Sequence, residues 1–156
     1  MKNKIKDFTD LIVWQKAHKL VILIYGIAKK FPRSETYALA NQLKRAVVSV
    51  TSNIAEGFSR QTSKEKIQFY FIASGSLTEV RNQLTIARDL DYIKGEEFST
   101  LNDLTTEVSK MIYGLINTSF ALTFILTIFS VHQPLNSYIR VPEKEISGNT
   151  HFIMAC

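Results

Sequence analysis

The sequence predicts an all-α protein, an antiparallel up-down-up-down four-helix bundle with an irregular C-terminal extension. Apolar residues recur every three or four positions in four successive segments, which is the spacing of amphipathic helices. No stretch alternates with a period of two for long enough to propose a sheet. The chain has only six Gly and three Pro, and two of the prolines, Pro134 and Pro142, lie near its end. Four amphipathic helices with short connections bury their apolar faces most simply as an up-down-up-down bundle.

The domain organisation follows from length and composition. The 156 residues suffice for one domain with a single core. We assign residues 1–119 to the bundle and residues 120–156 to an apolar segment and an irregular tail. The single cysteine, Cys156, excludes an intrachain disulfide and fits a reducing compartment. The first ten residues are basic but lack the apolar core and cleavage site of a secretion signal, so we expect a cytoplasmic protein.

The first helix is predicted from Asp10, a candidate N-cap, to Lys30, just before Phe31-Pro32. Its main apolar side has members three and four residues apart: Leu11, Trp14, Ala17, Val21, Ile24, Ala28 and Phe31. A second apolar side is formed by Val13, Leu20, Leu23 and Ile27. A helix that is apolar on two sides has to be covered on more than one flank, either by its own bundle or by another subunit.

The second helix opens near Ser34-Glu35 and holds the stretch around which the rest of the chain is organised, residues 42–60. One side of this stretch is apolar and consists of Leu43, Val47, Val50 and Ile54. A polar row runs along another side, with members three and four residues apart: Asn53, Glu56 and Arg60. Gly57 is predicted to be either a C-cap or a place where another backbone comes close.

The third helix begins at Thr62 and Glu65, which have the spacing of a capping box. The small residues at positions 73–76 predict a close approach to another helix; a phosphate loop would need a strand before its glycine, and none is predicted. A break at residues 91–95 separates this helix from the fourth. The apolar residues of the fourth helix are Phe98, Leu101, Leu104, Val108, Met111 or Ile112, and Leu115.

Residues 111–131 form a run without charged side chains, and a run of this length can span a bilayer. Asn117, Thr118 and Ser119 interrupt the run, and the remaining apolar part is only about 12 residues, more typical of a buried or interfacial segment. Membrane association through residues 120–131 therefore stays an alternative. The Pro, Asn and Ser content beyond His132 predicts an irregular tail.

Sites of catalysis are not evident in the sequence. His18, His132 and His151 stand alone, without the spacing of a zinc site, and no Walker loop or nucleophile elbow occurs. Glu56 and Glu79 lack the Glu-x-x-His pairs of a di-iron bundle, so we expect each to cap a helix or to pair with a basic residue such as Arg45 or Arg81. We predict no enzymatic activity, no metal and no cofactor.

Positive charge is concentrated in the first half of the chain. Residues 1–59 carry ten Lys or Arg against four acids, whereas residues 96–131 carry one against four. A basic surface on the first two helices and the start of the third favours binding to the phosphates of a nucleic acid, with RNA as the preferred class. The predicted contact residues are Lys16, Lys19, Lys44, Arg45, Arg60 and Lys64. The alternative is a protein-interaction scaffold in which the charge serves only solubility.

Three segments carry a resemblance to a known family: FTDLIVWQKAHKL, then FPRSETYALANQLKRAVVSVTSNIAEG, then FYFIASGSLTEV. In this order they resemble the four-helix-bundle family encoded in intervening sequences of bacterial large-subunit ribosomal RNA genes. That family was once labelled a ribosomal protein, and it is similar to the accessory protein of diversity-generating retroelements. The resemblance covers roughly residues 8–115.

This resemblance implies a bundle that assembles as a ring, commonly a homopentamer, with a basic surface suited to nucleic acid. For the retroelement relative it implies a reverse transcriptase as partner, and it brings no catalytic activity. The chain departs from the family after about Asn117, where members usually end with a polar tail. The residues that match the family pattern, with an implied structural role, are Asn53, Glu56, Gly57, Gly75, Leu77 and Glu79.

Overall fold

The computed structural model describes residues 5–131, with side chains described as far as residue 121. Four helices carry the fold of this part of the chain: α1 (Ile12–Ala28), α2 (Leu39–Ser59), α3 (Ser63–Asp89) and α4 (Gly95–Val131). Short 3-10 turns at Phe8–Asp10 and Arg33–Glu35 precede α1 and α2. Each helix packs on the next, and α4 returns to pack on α1. The predicted all-α four-helix bundle is confirmed.

The contacts between helices give their relative direction. Ser49 of α2 contacts Ser76 of α3, and Gly57, further along α2, approaches Tyr70, which is earlier in α3. Residue numbers therefore increase along α2 in the direction in which they decrease along α3, so the two helices are antiparallel. The same holds for α1 and α4, where Lys16 pairs with Glu107 and Lys30 pairs with Glu97.

The core is built from one stripe of each helix, as the period of three to four residues predicts. Its largest fully buried apolar side chains are Leu20, Ile24, Leu43, Ile54, Leu77, Leu84 and Ile112. Thr105 is also fully buried, and its hydroxyl donates to the carbonyl of Asn102 at 2.7 Å. The buried hydroxyl is thus satisfied within its own helix and does not weaken the core.

The second apolar side of α1 is covered mainly within the monomer. Val13, Leu20 and Ile27 are buried, and Leu23 is half-buried against the core. Their burial therefore needs no second subunit. The large hydrophobic side chains that α1 does leave exposed are Ile12, Ile22 and Tyr25.

The start of α1 differs from the prediction. Asp10 is not its N-cap: the carboxylate of Asp10 accepts from the backbone N–H groups of Lys6 and Asp7, at 2.8 and 3.1 Å, and closes a capping box around the first 3-10 turn. These two hydrogen bonds favour the charged form and lower the pKa of Asp10. The N-cap of α1 is Leu11, which has no side chain able to cap.

The capping box at the start of α3 is confirmed. The Thr62 hydroxyl accepts from the backbone N–H of Glu65, and the Glu65 carboxylate accepts from the backbone N–H of Thr62, both at 3.3 Å. The Thr62 hydroxyl also donates to this carboxylate at 2.7 Å. Both groups of Thr62 lower the pKa of Glu65, and the hydroxyl has the larger effect.

The two glycines of the family pattern have different environments. Gly57 is buried inside α2, and a Cβ at this position would lie 2.5 Å from Cε1 of Tyr70. The close neighbour is therefore a side-chain ring and not the predicted backbone, and the predicted C-cap is wrong because the C-cap of α2 is Arg60. Gly75 is exposed and has open space around its Cα, so the close approach predicted for residues 73–76 does not occur at this glycine. It occurs at Ser76, whose hydroxyl lies 2.8 Å from the Ser49 hydroxyl of α2. The neighbouring Ala73 is the small residue of this patch that is fully buried.

The fourth helix continues to Val131 without a break at residue 119. Among the described residues, no helix combines the length and the apolar character needed to cross a membrane. The predicted tail beyond Val131 lies outside the described residues. The division of the chain at residue 119 stays a prediction.

Candidate nucleic-acid interface

The structure places the six predicted contact residues in three separate locations. Lys16 and Lys19 lie in the first half of α1, where Lys16 contacts α4, and Lys44 and Arg45 lie in the first half of α2. Arg60 and Lys64 lie at the other end of the bundle, where α2 connects to α3. Since a helix rises 1.5 Å per residue, Arg45 and Arg60 are about 22 Å apart along α2. One monomer therefore does not bring the six cations into a single patch.

The cations beside α4 are partly neutralised. The Lys16 ammonium lies 2.9 Å from a carboxylate oxygen of Glu107, while Lys19, one turn later, is exposed and has no partner among the described residues. Further along the same interface, Lys30 forms an ion pair with Glu97. The hydrogen bond from Lys30 is the largest cause of the lowered pKa of Glu97. The ion pairs at this interface therefore mainly join α1 to α4.

Of the two cations at the end of α2, one is in an ion pair and the other is not. Arg60 forms an ion pair with Glu56 and lies over the ring of Phe69, 4.7 Å from its centroid. Glu56 therefore pairs with a basic residue, as predicted, but the partner is Arg60, four positions later at the C-cap of α2, and not Arg45. Lys64 is exposed and unpaired among the described residues.

The third location is a groove between α1 and α2, with a volume of about 400 Å³. The Lys44 ammonium lies 5.6 Å from the centroid of the Tyr25 ring, and Tyr25 is 42% exposed. Arg45 is exposed and has no ion pair in the described part of the chain. No carboxylate lines this groove; its residues are Tyr25, Asn41, Lys44, Arg45, Val48, Ser49 and Ser52. We call it the α1/α2 groove.

A second groove lies on the other side of Arg45, between α2 and α3, with a volume of about 330 Å³. We call it the α2/α3 groove, and it is lined by Gln42, Arg45, Ala46, Ser49 and Glu79. The sequence suggested a basic partner such as Arg81 for Glu79, but Glu79 does not pair with Arg81. Its carboxylate accepts a hydrogen bond from the Gln83 side-chain amide at 3.1 Å.

Tyr25 is not among the six contact residues predicted from the sequence. The signal was present in the period of α1: Trp14, His18 and Tyr25 follow at intervals of four and seven, on one side of the helix. Trp14 and His18 stack with ring centroids 5.0 Å apart, and His18 is exposed. Trp14 packs against the core, whereas the rings of His18 and Tyr25 on this side of α1 are exposed.

The described residues contain no group of three or more His, Cys, Asp or Glu able to hold a metal ion. Of the candidate carboxylates, Glu56 pairs with Arg60, and Oε1 of Glu79 accepts a hydrogen bond from Gln83.

Comparison with known proteins gives the family. The model of the 23S rRNA-intervening sequence protein family matches residues 9–114, which is more than half of the chain. The chain belongs to this family. The matched range runs from the first 3-10 turn to the middle of α4 and contains all six predicted contact residues. No curated protein matches the chain.

A solved relative gives the same fold. The crystal structure of a protein of unknown function from Bacteroides thetaiotaomicron, assigned to the S23 ribosomal protein family, superimposes with a TM-score of 0.63. The alignment covers 67% of this chain and 98% of the other, at 23% sequence identity. At this identity the likeness establishes the fold alone. Neither this description nor that of the family names an enzymatic activity.

Proposed function

We propose that this protein is a non-enzymatic, self-associating nucleic-acid-binding protein of the cytoplasm whose ligand is single-stranded RNA. The observation that carries the proposal is the α1/α2 groove. It presents Lys44 and Arg45 beside the exposed ring of Tyr25, with no carboxylate among its lining residues.

Each part of this groove complements a part of a single strand. Lysine and arginine neutralise phosphates, which supplies most of the affinity of sequence-independent binding. An exposed aromatic ring offers a surface on which an unpaired base stacks, with about 1–3 kcal/mol per base. Bases in a duplex are already stacked on one another and are not available to such a ring. The combination therefore favours a single strand over a double helix.

Self-association would convert these weak contacts into a tight complex. The cations of one monomer lie in three places, so a single copy offers few contacts to one strand. An assembly repeats the α1/α2 groove, and contacts made by successive copies on one polyanion add through their high effective concentration. The ring implied by the family resemblance, commonly a homopentamer, is the assembly we expect.

The surface that supports self-association is an apolar groove of about 610 Å³ between the start of α1 and the second half of α4. We call it the α1/α4 groove. Its apolar lining residues are Ile5, Leu11, Ile12, Val13, Met111 and Leu115. The same groove favours a second candidate function, a scaffold that binds a protein partner such as a reverse transcriptase and makes no direct contact with nucleic acid.

Reversal of charge in the α1/α2 groove separates these two functions. The double variant Lys44→Glu/Arg45→Glu should bind a labelled single-stranded RNA at least about tenfold more weakly than the parent, because two phosphate contacts are replaced by repulsion. Its log–log salt slope should fall by about 1.4, since each contact on a single strand contributes about 0.7. Fluorescence anisotropy measures both quantities.

The matched control is Arg81→Glu/Lys110→Glu, which makes the same change in charge at two exposed residues of α3 and α4 outside the groove. It should reduce affinity much less. Equal losses in the two double variants would show that only net charge matters and would remove the groove from the account. Parent protein that binds no RNA would leave the scaffold in its place.

A further inference from the structure

The α2/α3 groove contains a carboxylate and a guanidinium that do not bind each other. Arg45 and Glu79 both line it, yet in the described part of the chain neither takes part in an ion pair. The volume of about 330 Å³ lies at the lower end of the range for small-ligand pockets, roughly 300–1,000 Å³. The groove thus offers an acceptor and a donor to a ligand of modest size.

The carboxylate of the exposed residue Glu79 is oriented by a buried neighbour. Gln83 is 7% exposed, and its amide nitrogen donates to Oε1 of Glu79 at 3.1 Å. The reverse orientation of the amide would place its oxygen against the carboxylate, so the hydrogen bond fixes which end faces Glu79. The described residues offer no donor to Oε2 of Glu79. The carboxylate is therefore held in place with acceptor capacity left for a ligand.

The serine beside these two residues is already occupied. The Ser49 hydroxyl lies 2.8 Å from the Ser76 hydroxyl across the helix interface, and the Asn53 amide donates to it at 3.1 Å. The same amide donates to the Ser49 carbonyl at 2.8 Å. A ligand in the groove would consequently be recognised by Glu79, Arg45 and Gln42.

We propose that the α2/α3 groove binds a guanine base of the RNA strand. Guanine presents two adjacent donors, N1–H and N2–H, to a carboxylate, and two acceptors, O6 and N7, to a guanidinium. Adenine and cytosine place an acceptor next to their donor, and uracil has one donor between two carbonyls. An oriented carboxylate such as Glu79 therefore favours guanine over the other three bases.

This inference rests on the proposed function, because the base reaches the groove as part of a bound strand. Arg45 and Ser49 line both the α1/α2 groove and the α2/α3 groove, so the two are adjacent across α2. Arginine has five N–H donors in a planar fork. On a strand without guanine Arg45 contacts a phosphate, and at a guanine it donates to O6 and N7 of the base while Lys44 keeps its phosphate contact.

The test compares three single-stranded RNAs of about 20 nucleotides, long enough to exceed the site of a single binding module. One is oligouridine; the others carry guanosine or inosine at a few separated positions. The guanosine strand should bind about tenfold more tightly than oligouridine, the usual discrimination of a good bidentate contact. The inosine strand lacks the N2 amino group and should lose most of this gain.

Variants assign the gain to Glu79. Glu79→Gln replaces one acceptor by a donor and should abolish the preference for guanosine without weakening oligouridine binding, which also reports that the variant is folded. Glu96→Gln makes the same change at an exposed residue of α4 and should keep the preference. Salt-sensitive but equal binding of all strands, or a preference that survives Glu79→Gln, would overturn the guanine site and leave the proposed function intact. No binding of any strand would overturn both.

Discussion

Gly57 sets the distance between α2 and α3. The position of its missing Cβ is 2.5 Å from one Tyr70 carbon and 2.8 Å from the next, well inside van der Waals contact. The Tyr70 ring is 4% exposed, and its burial raises the pKa of the phenol, which stays protonated at neutral pH. Gly75 has no atom within 4 Å of the same position. Within the monomer, Gly57 therefore has a packing contact that excludes a side chain, and Gly75 does not.

Substitution of the two glycines should have opposite effects. Gly57→Ala forces the Tyr70 ring or the helices to move, and we expect it to lower the free energy of unfolding by about 1–3 kcal/mol. Gly75→Ala is the matched control: it meets no neighbour and should raise the same quantity by about 0.5–1 kcal/mol, because alanine loses less conformational freedom in a helix. Urea denaturation of both variants checks this. A Gly57→Ala variant as stable as Gly75→Ala would show that the close approach is absent.

At the scale of elements, α3 has the most clearly defined beginning. Thr62 and Glu65 satisfy each other's backbone N–H groups, two of the donors that a helix start leaves without partners. The helix that follows packs against both α2 and α4. A loss at this cap is therefore transmitted to the stability of the whole bundle.

Removal of the Thr62 hydroxyl should cost about 1 kcal/mol of unfolding free energy. Thr78→Ala, in the exposed middle of α3, is the control and should cost less, since its hydroxyl only donates to a carbonyl already within the helix. The pH dependence gives a second readout. The lowered pKa of Glu65 means that its contribution is present above the ordinary value of 4.5 and is lost as the pH falls through the lower value in the folded state. The parent should consequently lose more stability than Thr62→Ala below pH 4.5, and parallel curves would contradict this.

The elements could be predicted because their signals are local. Apolar period and the Thr62–Glu65 spacing lie within one segment of sequence, and they predicted the four helices. The start of α2 was predicted wrongly: residues Arg33–Glu35 form a 3-10 turn, and α2 begins at Leu39. The Glu56–Arg60 pair was equally accessible, since its members are four residues apart on one helix. The proximity of Tyr25 and Lys44 was not, because it depends on how α1 is rotated against α2. Periodicity gives the buried side of each helix but not the neighbours of its outer residues.

At the scale of the whole molecule, exposed apolar side chains remain in the α1/α4 groove and on the opposite side of α4. Ile12, which lines the groove, is 62% exposed. Tyr113 and Phe120, two turns apart on the other side of α4, are each 51% exposed. Most apolar side chains of α1 are buried within the monomer, so the expectation of self-association rests on these exposed side chains and on the groove. A contact between copies would cover them without disturbing the core.

We expect the protein to form a homo-oligomer through this groove. Light scattering at micromolar concentration should give several times the monomer mass of 17.8 kDa. Ile12→Glu should reduce the mass to that of a smaller species while helicity by circular dichroism is kept. The matched control, Ile86→Glu, changes a 40% exposed residue of α3 outside the groove and should leave the mass unchanged. A monomeric parent would remove the ring, and an Ile12→Glu variant of unchanged mass would place the contact elsewhere.

Salt dependence of RNA binding is the most direct measure of the central claim. Anisotropy of a labelled single strand, long enough to touch several copies, is recorded with the parent protein as salt is raised from about 50 to about 200 mM. We expect tight binding at the lower concentration and a linear log–log decrease with a slope of about 0.7 per neutralised phosphate. Shorter strands, which reach only one copy, should bind more weakly at every salt concentration. Absence of binding at about 50 mM salt, or an affinity that does not change with salt, would contradict the account.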